Sequence, residues 1–316
     1  MSPAVIESYR LPSWLLAVAS CLFWSSAFAG IKTGLAFAPP LFFAGIRFVL
    51  AGLLLVPLTG SPLNYLRELR RAPLLPLRVG LFQTVLLYSL FFLSLNLVPG
   101  SLGAVVNGMT PLWAALAAHV LLKDDKMSCR MLVSTGIGFS GILLLSLTRN
   151  EGGPESLGGA ELLGIVLMLG ASFANVLGHV VVYKSRGSMS SVVLTSSQFI
   201  FGGLVLLLIS RTVEGPFILP VSPVFWSALV YLGFVSAAAF GIWFYLLTVR
   251  SEKVSVIGIW QFLIPVAGAI LSWLIVPDDK PSWPVVMGMV LIASAILYFF
   301  RPAGVSRKEV DTDGGV

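Results

Sequence analysis

Ten apolar runs dominate the chain, at roughly 13–33, 40–58, 76–97, 102–122, 130–148, 161–183, 190–210, 223–247, 254–276 and 283–300. Most approach the ~20 residues needed to cross hydrocarbon as a helix. The polar intervals between them are punctuated by helix stops: Pro39-Pro40, Pro62, Pro73, Pro99-Gly100, Gly152-Gly153-Pro154, Gly215-Pro216, Pro277 and Pro281. The pattern predicts an all-α membrane protein with ten transmembrane helices. Five lie before a polar connector at 149–160 and five after it. Segments 1–12 and 301–316 flank the bundle, and the tail reads as disordered on composition.

The runs repeat. SLGAVVNGMTPLWAALAAHVLLKDDK, from Ser101 to Lys126, returns without a gap as SVIGIWQFLIPVAGAILSWLIVPDDK, from Ser255 to Lys280, 154 positions later. Asn107 maps to Gln261, Pro111 to Pro265, and Asp124-Asp125-Lys126 to Asp278-Asp279-Lys280. Leu15 to Lys32 echoes Leu162 to His179, and Gly136 and Arg149 align with Gly288 and Arg301. The chain is therefore a duplication of a five-helix unit, with repeats at 13–148 and 161–300. An odd number of spans per unit places the second copy upside down relative to the first, an inverted-topology repeat. Ala27-Phe28-Ala29 and Val18-Ala19-Ser20-Cys21 mimic cleavage sites. The first run nevertheless has a counterpart in the second half, so it is expected to remain as a span.

Each copy carries an amide side chain four residues before a mid-run proline. Proline lacks an N–H, so the carbonyls of Asn107 and Gln261 lose their helix bonds to Pro111 and Pro265. Two weakened helices with polar groups at mid-span point to a solute site between the repeats. A purely structural bend, with the freed carbonyls met by hydroxyls or water, is the competing reading.

Composition supports lipid as the solvent. The chain is 57% hydrophobic and 11% charged, with mean hydropathy +0.95, whereas soluble chains are about a quarter charged. The net charge of +6 comes from basic residues between the runs rather than in a patch, so nucleic acid is not an expected partner. With the N-terminus inside, 15 of the 20 Lys and Arg fall on inner segments, 4 on outer segments, and Arg47 within a span. This bias places both termini in the cytoplasm. The two cysteines, Cys21 and Cys129, have neither disulfide nor metal spacing.

All fourteen acidic residues lie outside the spans or at their edges. No buried carboxylate is available as an ion relay, which favours facilitated diffusion or exchange. Coupling through His179, with an unperturbed pKa of ~6.5, stays open. The candidate solute-contacting residues are Asn107, Trp113, Tyr88 and Ser26 in the first half and Gln261, Trp260, Trp243, Tyr245 and Asn175 in the second. Lys32 and His179, aligned by the repeat, join them. Amides and aromatic walls suit an amphipathic zwitterion better than a phosphate. Interfacial belts and packing compete for the aromatics, snorkelling for Lys32, and core packing for His179. Arg47, aligned with Gln198, needs carbonyls, water or an anion. It either ties its span to a loop or meets a solute carboxylate.

FWSSAFAGIK in the first run, PPLFFAGIRF ending near Arg47, and the mid-span proline followed by an acidic turn resemble the EamA family of the drug/metabolite transporter superfamily, including its amino-acid exporters of the YddG type. The resemblance covers about residues 13–300. It implies ten helices in two inverted repeats and export or exchange of small metabolites, amino acids (possibly aromatic) among them, across a bacterial inner membrane. One departure is the Lys-Asp-Asp-Lys turn, where the family usually has Gly-Glu; a turn role is expected for it. A sugar-phosphate or nucleotide-sugar exchanger is the alternative, although no paired Lys/Arg motif is present. No cofactor or metal is expected. A monomer is the expected state, with a homodimer as the alternative.

Other classes fit poorly. The runs contain no H-E-x-x-H, no G-x-S-x-G and no paired carboxylates, which argues against an enzyme. There is no filter or ring of like charges for a channel.

Overall fold

The structure is a computed structural model that describes residues 11–98, 106–147, 159–217, 219–275 and 283–301. Ser101, Arg149, most of the 149–160 connector, the Asp278-Asp279-Lys280 turn and both chain ends lie outside the described residues. Among the described residues every regular element is helical.

The elements are α1 (Ser13–Leu35), α2 (Pro40–Leu55), α3 (Pro62–Arg71), α4 (Leu74–Gly80), α5 (Leu87–Leu95), α6 (Thr110–Leu121), α7 (Cys129–Leu147), α8 (Gly159–Lys184), α9 (Ser191–Val213), α10 (Pro223–Thr248), α11 (Val254–Gly258), α12 (Leu263–Ile275) and α13 (Trp283–Phe300). A π-helical stretch, Leu81–Leu86, joins α4 to α5, and a 3-10 turn, Ile259–Phe262, joins α11 to α12. Among the described residues eight helical segments are long and apolar enough to cross a membrane, and Thr110–Leu121 and Cys129–Leu144 are shorter apolar helices beside them.

One element is absent from the sequence reading. The break between the second and third runs contains α3, which starts on a Ser61 side-chain cap with Pro62 in its first turn. Proline is well placed there because the first N–H has no helical partner. With Arg67, Arg70 and Arg71, α3 is a polar surface helix rather than a loop.

Helix contacts come in exchanged sets. The first helix of each half packs on the third segment of the other: α1 on α10, and α8 on α5. The first helix of each half also packs on the broken helix of the other: α1 on α12, and α8 on α6. Two further pairs join corresponding helices directly, α2 with α9 and α7 with α13.

Both direct pairs run antiparallel. Gly45 meets Gly203, Phe48 meets Phe199 and Gly52 meets Ser196, so numbers rise along α2 as they fall along α9. A Cβ at Gly203 would lie 2.8 Å from the Gly45 carbonyl oxygen, and one at Gly52 would lie 2.7 Å from that of Ser196. Only glycine allows this backbone approach. Along α7 and α13, Ser134 Oγ donates to the Ala295 carbonyl (2.8 Å), Arg130 Nε donates to the Tyr298 carbonyl (3.0 Å), and Gly141 faces the Gly288 carbonyl.

Carboxylates cap helix starts across the two halves. Glu214, just past α9, accepts from Leu41 N (2.8 Å) and Phe42 N (2.9 Å) in the first turn of α2. Glu68 on α3, just past α2, accepts from Ser190 N (2.7 Å) at the start of α9. Asp125 is buried and accepts from Ser255 N (3.0 Å) and from the Ser255 hydroxyl at the start of α11. The first N–H groups of a helix lack partners and carry partial positive charge, so anions there are stabilising. The acidic turn after α6 is thus a tie between halves as well as a turn. Its other carboxyl, Asp124, is held below the ordinary value of 3.8, chiefly because the Tyr183 hydroxyl donates to it; its own backbone N–H and Arg186 add to the effect.

Candidate functional site

The α4–α5 segment carries a buried polar face. Gln83 and Thr84 are buried in its π-helical stretch, and such irregularities often mark functional positions. Gln83 Nε2 donates to the Asn175 carbonyl of α8 (2.5 Å). Thr84 Oγ1 donates to Gln198 Oε1 of α9 (2.9 Å). One turn on, the Tyr88 hydroxyl accepts from Arg47 Nη2 of α2 (3.1 Å). Three helices from both halves therefore meet this one face by hydrogen bonds, each of which spares a buried polar group its desolvation penalty.

A continuous aromatic run starts at the same place. Tyr88 packs on Phe48 with centroids 4.6 Å apart, and Phe48 stacks on Phe199 at 5.0 Å and 25°. Phe199 meets Phe240 at 5.2 Å, Phe240 meets Trp24 at 5.2 Å, and Trp24 meets Trp243 at 5.0 Å. The run ends where Trp243 faces His179 at 5.8 Å. Offset and edge-to-face contacts of this kind add to burial energy. Two nitrogens at that end, His179 Nε2 and Trp243 Nε1, are buried without a partner.

The broken helices flank this run. Ahead of Pro265, α1 meets carbonyls of the 3-10 turn and of the first turn of α12: Cys21 Sγ donates to Trp260 O (3.2 Å) and Ser25 Oγ to Ile264 O (2.9 Å). Ahead of Pro111, Thr110 Oγ1 donates to the Asn107 carbonyl (2.6 Å), and Ser172 Oγ of α8 lies 3.3 Å from Asn107 Oδ1. Ser25 and Ser172 are repeat equivalents, so the same residue type ties each broken helix to the first helix of the other half.

The sequence-derived candidates divide by place. Tyr88, Trp243 and His179 lie on the aromatic run. Asn107 and Trp113 meet α8, Trp113 through Phe173 at 5.6 Å. Trp260 stacks on Phe300 of α13 at 4.8 Å, and the Gln261 side chain is buried beside it in the turn. Asn175 is half-buried next to Gln83. Ser26 bonds its own helix at Phe23 O. Tyr245 packs under Arg250 at the end of α10, with 5.8 Å to the guanidinium carbon. Lys32 is exposed in the last turn of α1. Trp24, Phe48, Phe199 and Phe240 are not among the sequence-derived candidates. The alignment of Arg47 with Gln198 also pairs Phe48 with Phe199, and that was the signal available for two of them. Arg47 reaches Tyr88 on a neighbouring span, and among the described residues no bond from it to a loop is found.

The chain is similar to proteins of other organisms along most of its length. It is 26% identical to the transporter YvbV of Bacillus subtilis (strain 168), over 89% of each chain. It is 27% identical to a chloroplastic WAT1-related protein of Arabidopsis thaliana, over 91% of this chain and 69% of that one. A solved crystal structure at 18% identity superposes with a TM-score of 0.77, covering 90% of this chain and 95% of that one, which speaks for the fold. The EamA-like transporter family model matches twice, at residues 11–147 and 162–301, and the chain belongs to that family of membrane transporters.

Proposed function

We propose that the protein is a ten-helix secondary transporter that moves small neutral or amphipathic metabolites, amino acids among them and aromatic ones included, by alternating access. The observation that carries this reading is the aromatic run from Tyr88 to His179, which passes through the contact between equivalent helices at Phe48 and Phe199. Equivalent helices that pack antiparallel, together with a family model matching each half, support an inverted repeat. Such repeats alternate by rocking about a midplane site.

In this reading Tyr88, Trp243 and His179, with Trp24 and Phe240, form the walls. Asn107, Trp113, Trp260 and Gln261 line the two broken helices that flank them. Ser26 and Asn175 stand behind, and Lys32 and Tyr245 serve the two interfaces. The described carboxylates at helix ends, engaged as caps and in surface contacts, support a facilitator or exchanger over a carboxylate-driven pump. Family export, a bacterial inner membrane, both termini in the cytoplasm and a monomer complete the proposal.

Counterflow from proteoliposomes loaded with a mixed metabolite pool tests it. Neutral and aromatic amino acids should exchange saturably, and sugar phosphates should not. A large non-saturating conductance, or exchange of phosphates alone, overturns the reading.

A further inference from the structure

We propose that Arg47 and Gln198, held against Tyr88 and Thr84, form a carboxylate-binding site at mid-span, so that the transported solute carries a carboxylate. The inference rests on the transport reading above and names the charge class of its solute.

Arg47 and Gln198 are each the eighth residue of their helices, α2 and α9, and they are equivalent in the repeat. Arg47 is 4% exposed and Gln198 fully buried. The Arg47 guanidinium sits 4.4 Å from the Phe48 centroid and 5.3 Å from that of Tyr88. It spends Nη2 on the Tyr88 hydroxyl, and its Nε has no partner. Gln198 spends Oε1 on Thr84, and its Nε2 has no partner. Thr84 and Tyr88 are four residues apart, which puts their partners on one face at adjacent levels. Two buried donors thus stand unspent on side chains that bond successive turns of one segment, one of them charged.

An unpaired buried guanidinium costs several kcal/mol. Among the described residues no ion pair between Arg47 and a carboxylate is found. Glu68, Asp125 and Glu214 cap helix starts, and Asp124 binds Tyr183 and Arg186. A carboxylate brings two oxygens with acceptor sites for both donors, and charge-assisted bonds to Arg are the strong kind. A dianionic phosphate would leave one charge unmatched by the single cation. A plain amine would leave Arg47 unpaired. The rings beyond, Phe199, Phe240 and Trp24, offer apolar surface to the remainder of the solute.

The test measures thermal stabilisation of the detergent-solubilised protein by four ring-bearing probes: phenylalanine, phenylacetate, phenethylamine and phenyl phosphate. Phenylalanine and phenylacetate should raise the unfolding midpoint, and phenethylamine and phenyl phosphate should not. Arg47→Gln should raise the half-saturating phenylacetate concentration by roughly tenfold or more. Arg47→Lys keeps the charge without the fork and should fall between. Gln198→Leu should weaken the carboxylates severalfold. If Arg47→Gln does not fold, the Lys and Gln198→Leu variants carry the comparison. Protection by phenethylamine equal to that by phenylalanine, no shift with either carboxylate, or unchanged half-saturation in folded variants overturns the site. Parallel counterflow separates the two readings. Carboxylate-dependent stabilisation without counterflow sinks transport and leaves the site, and saturable counterflow of phenethylamine alone does the reverse.

Discussion

Phe48 and Phe199 are equivalent residues of the two halves, and their rings stack on each other, 5.0 Å between centroids and 25° between planes. A residue can touch its own repeat counterpart only near the axis relating the halves. Both are fully buried, so this contact belongs to the core as well as to the symmetry. Phe199→Ala should lower stability by about 3–5 kcal/mol, the usual range for a large core truncation. A double-mutant cycle with Phe48→Leu should show coupling of roughly 0.5–1.5 kcal/mol beyond the separate losses. Thermal unfolding of the four proteins measures it, and strict additivity would show that the stack carries no pairwise energy.

The glycines around that stack make a sharper test of packing. Gly203→Val would press side-chain carbons against a backbone oxygen, because even a Cβ there would lie 2.8 Å from Gly45 O. Backbone cannot yield as a side-chain tip can, so the helices must part, with a cost of about 1–3 kcal/mol or more. Gly136→Ala is the control, since nothing lies within 4 Å of its would-be Cβ. Size-exclusion profiles and melting temperatures should show loss for the first variant and none for the second.

Much of the bundle is legible in the sequence because lipid allows few solutions: an apolar run of the right length must be helical. The duplication is legible too, since Asn107/Gln261 and Pro111/Pro265 keep one offset. Part of the candidate site is not. Trp24 and Phe240 look like any other aromatic in an apolar run, and only the fold brings them to Trp243. The exposure of Lys32 and the position of Tyr245 under Arg250 depend on helix rotation, which near-uniform hydrophobicity hardly encodes. Likewise α3 hides between Pro62 and Pro73, where turn residues at both ends mask a helix ten residues long.

The Asp124 contact gives a pH dependence of definite sign. Its folded-state pKa lies below the ordinary 3.8, chiefly through the Tyr183 hydroxyl. Its contribution to stability is therefore fully present above that ordinary value and disappears as pH falls through the lowered one. The difference in melting temperature between wild type and Asp124→Asn should be constant from pH 7 to pH 5 and shrink as the pH falls below 3.8. The group is solvent-exposed, so the difference will be small and salt-sensitive. A gap that widens in acid would contradict the sign.

Arg47 should behave unlike an ordinary buried residue. Replacing a poorly compensated buried charge by an apolar side chain of similar length is often neutral or stabilising, by about 1–4 kcal/mol. Arg47→Met in the absence of solute should hold or raise the melting temperature while abolishing carboxylate-dependent stabilisation. A large loss of solute-free stability would instead make the Tyr88 bond and the Phe48 contact the reason for the arginine.

The antiparallel pairing of α7 with α13 fixes where two cysteines must react. Cys129 opens α7 and is exposed, whereas the other native cysteine, Cys21, is buried. Trp283 opens α13 and is 75% exposed. Since Arg130 bonds Tyr298 at the far end of α13, the two helix starts point to opposite ends of the bundle. In the proposed orientation, with both termini in the cytoplasm, the Cys129 end faces the cytoplasm. A membrane-impermeant maleimide should therefore label Cys129 in inverted vesicles and not in right-side-out ones. Trp283→Cys, made in a Cys129→Ser background, should show the opposite. Labelling of both positions from one side would mean that α7 and α13 enter the membrane in the same direction, and the inverted repeat would fall with that result.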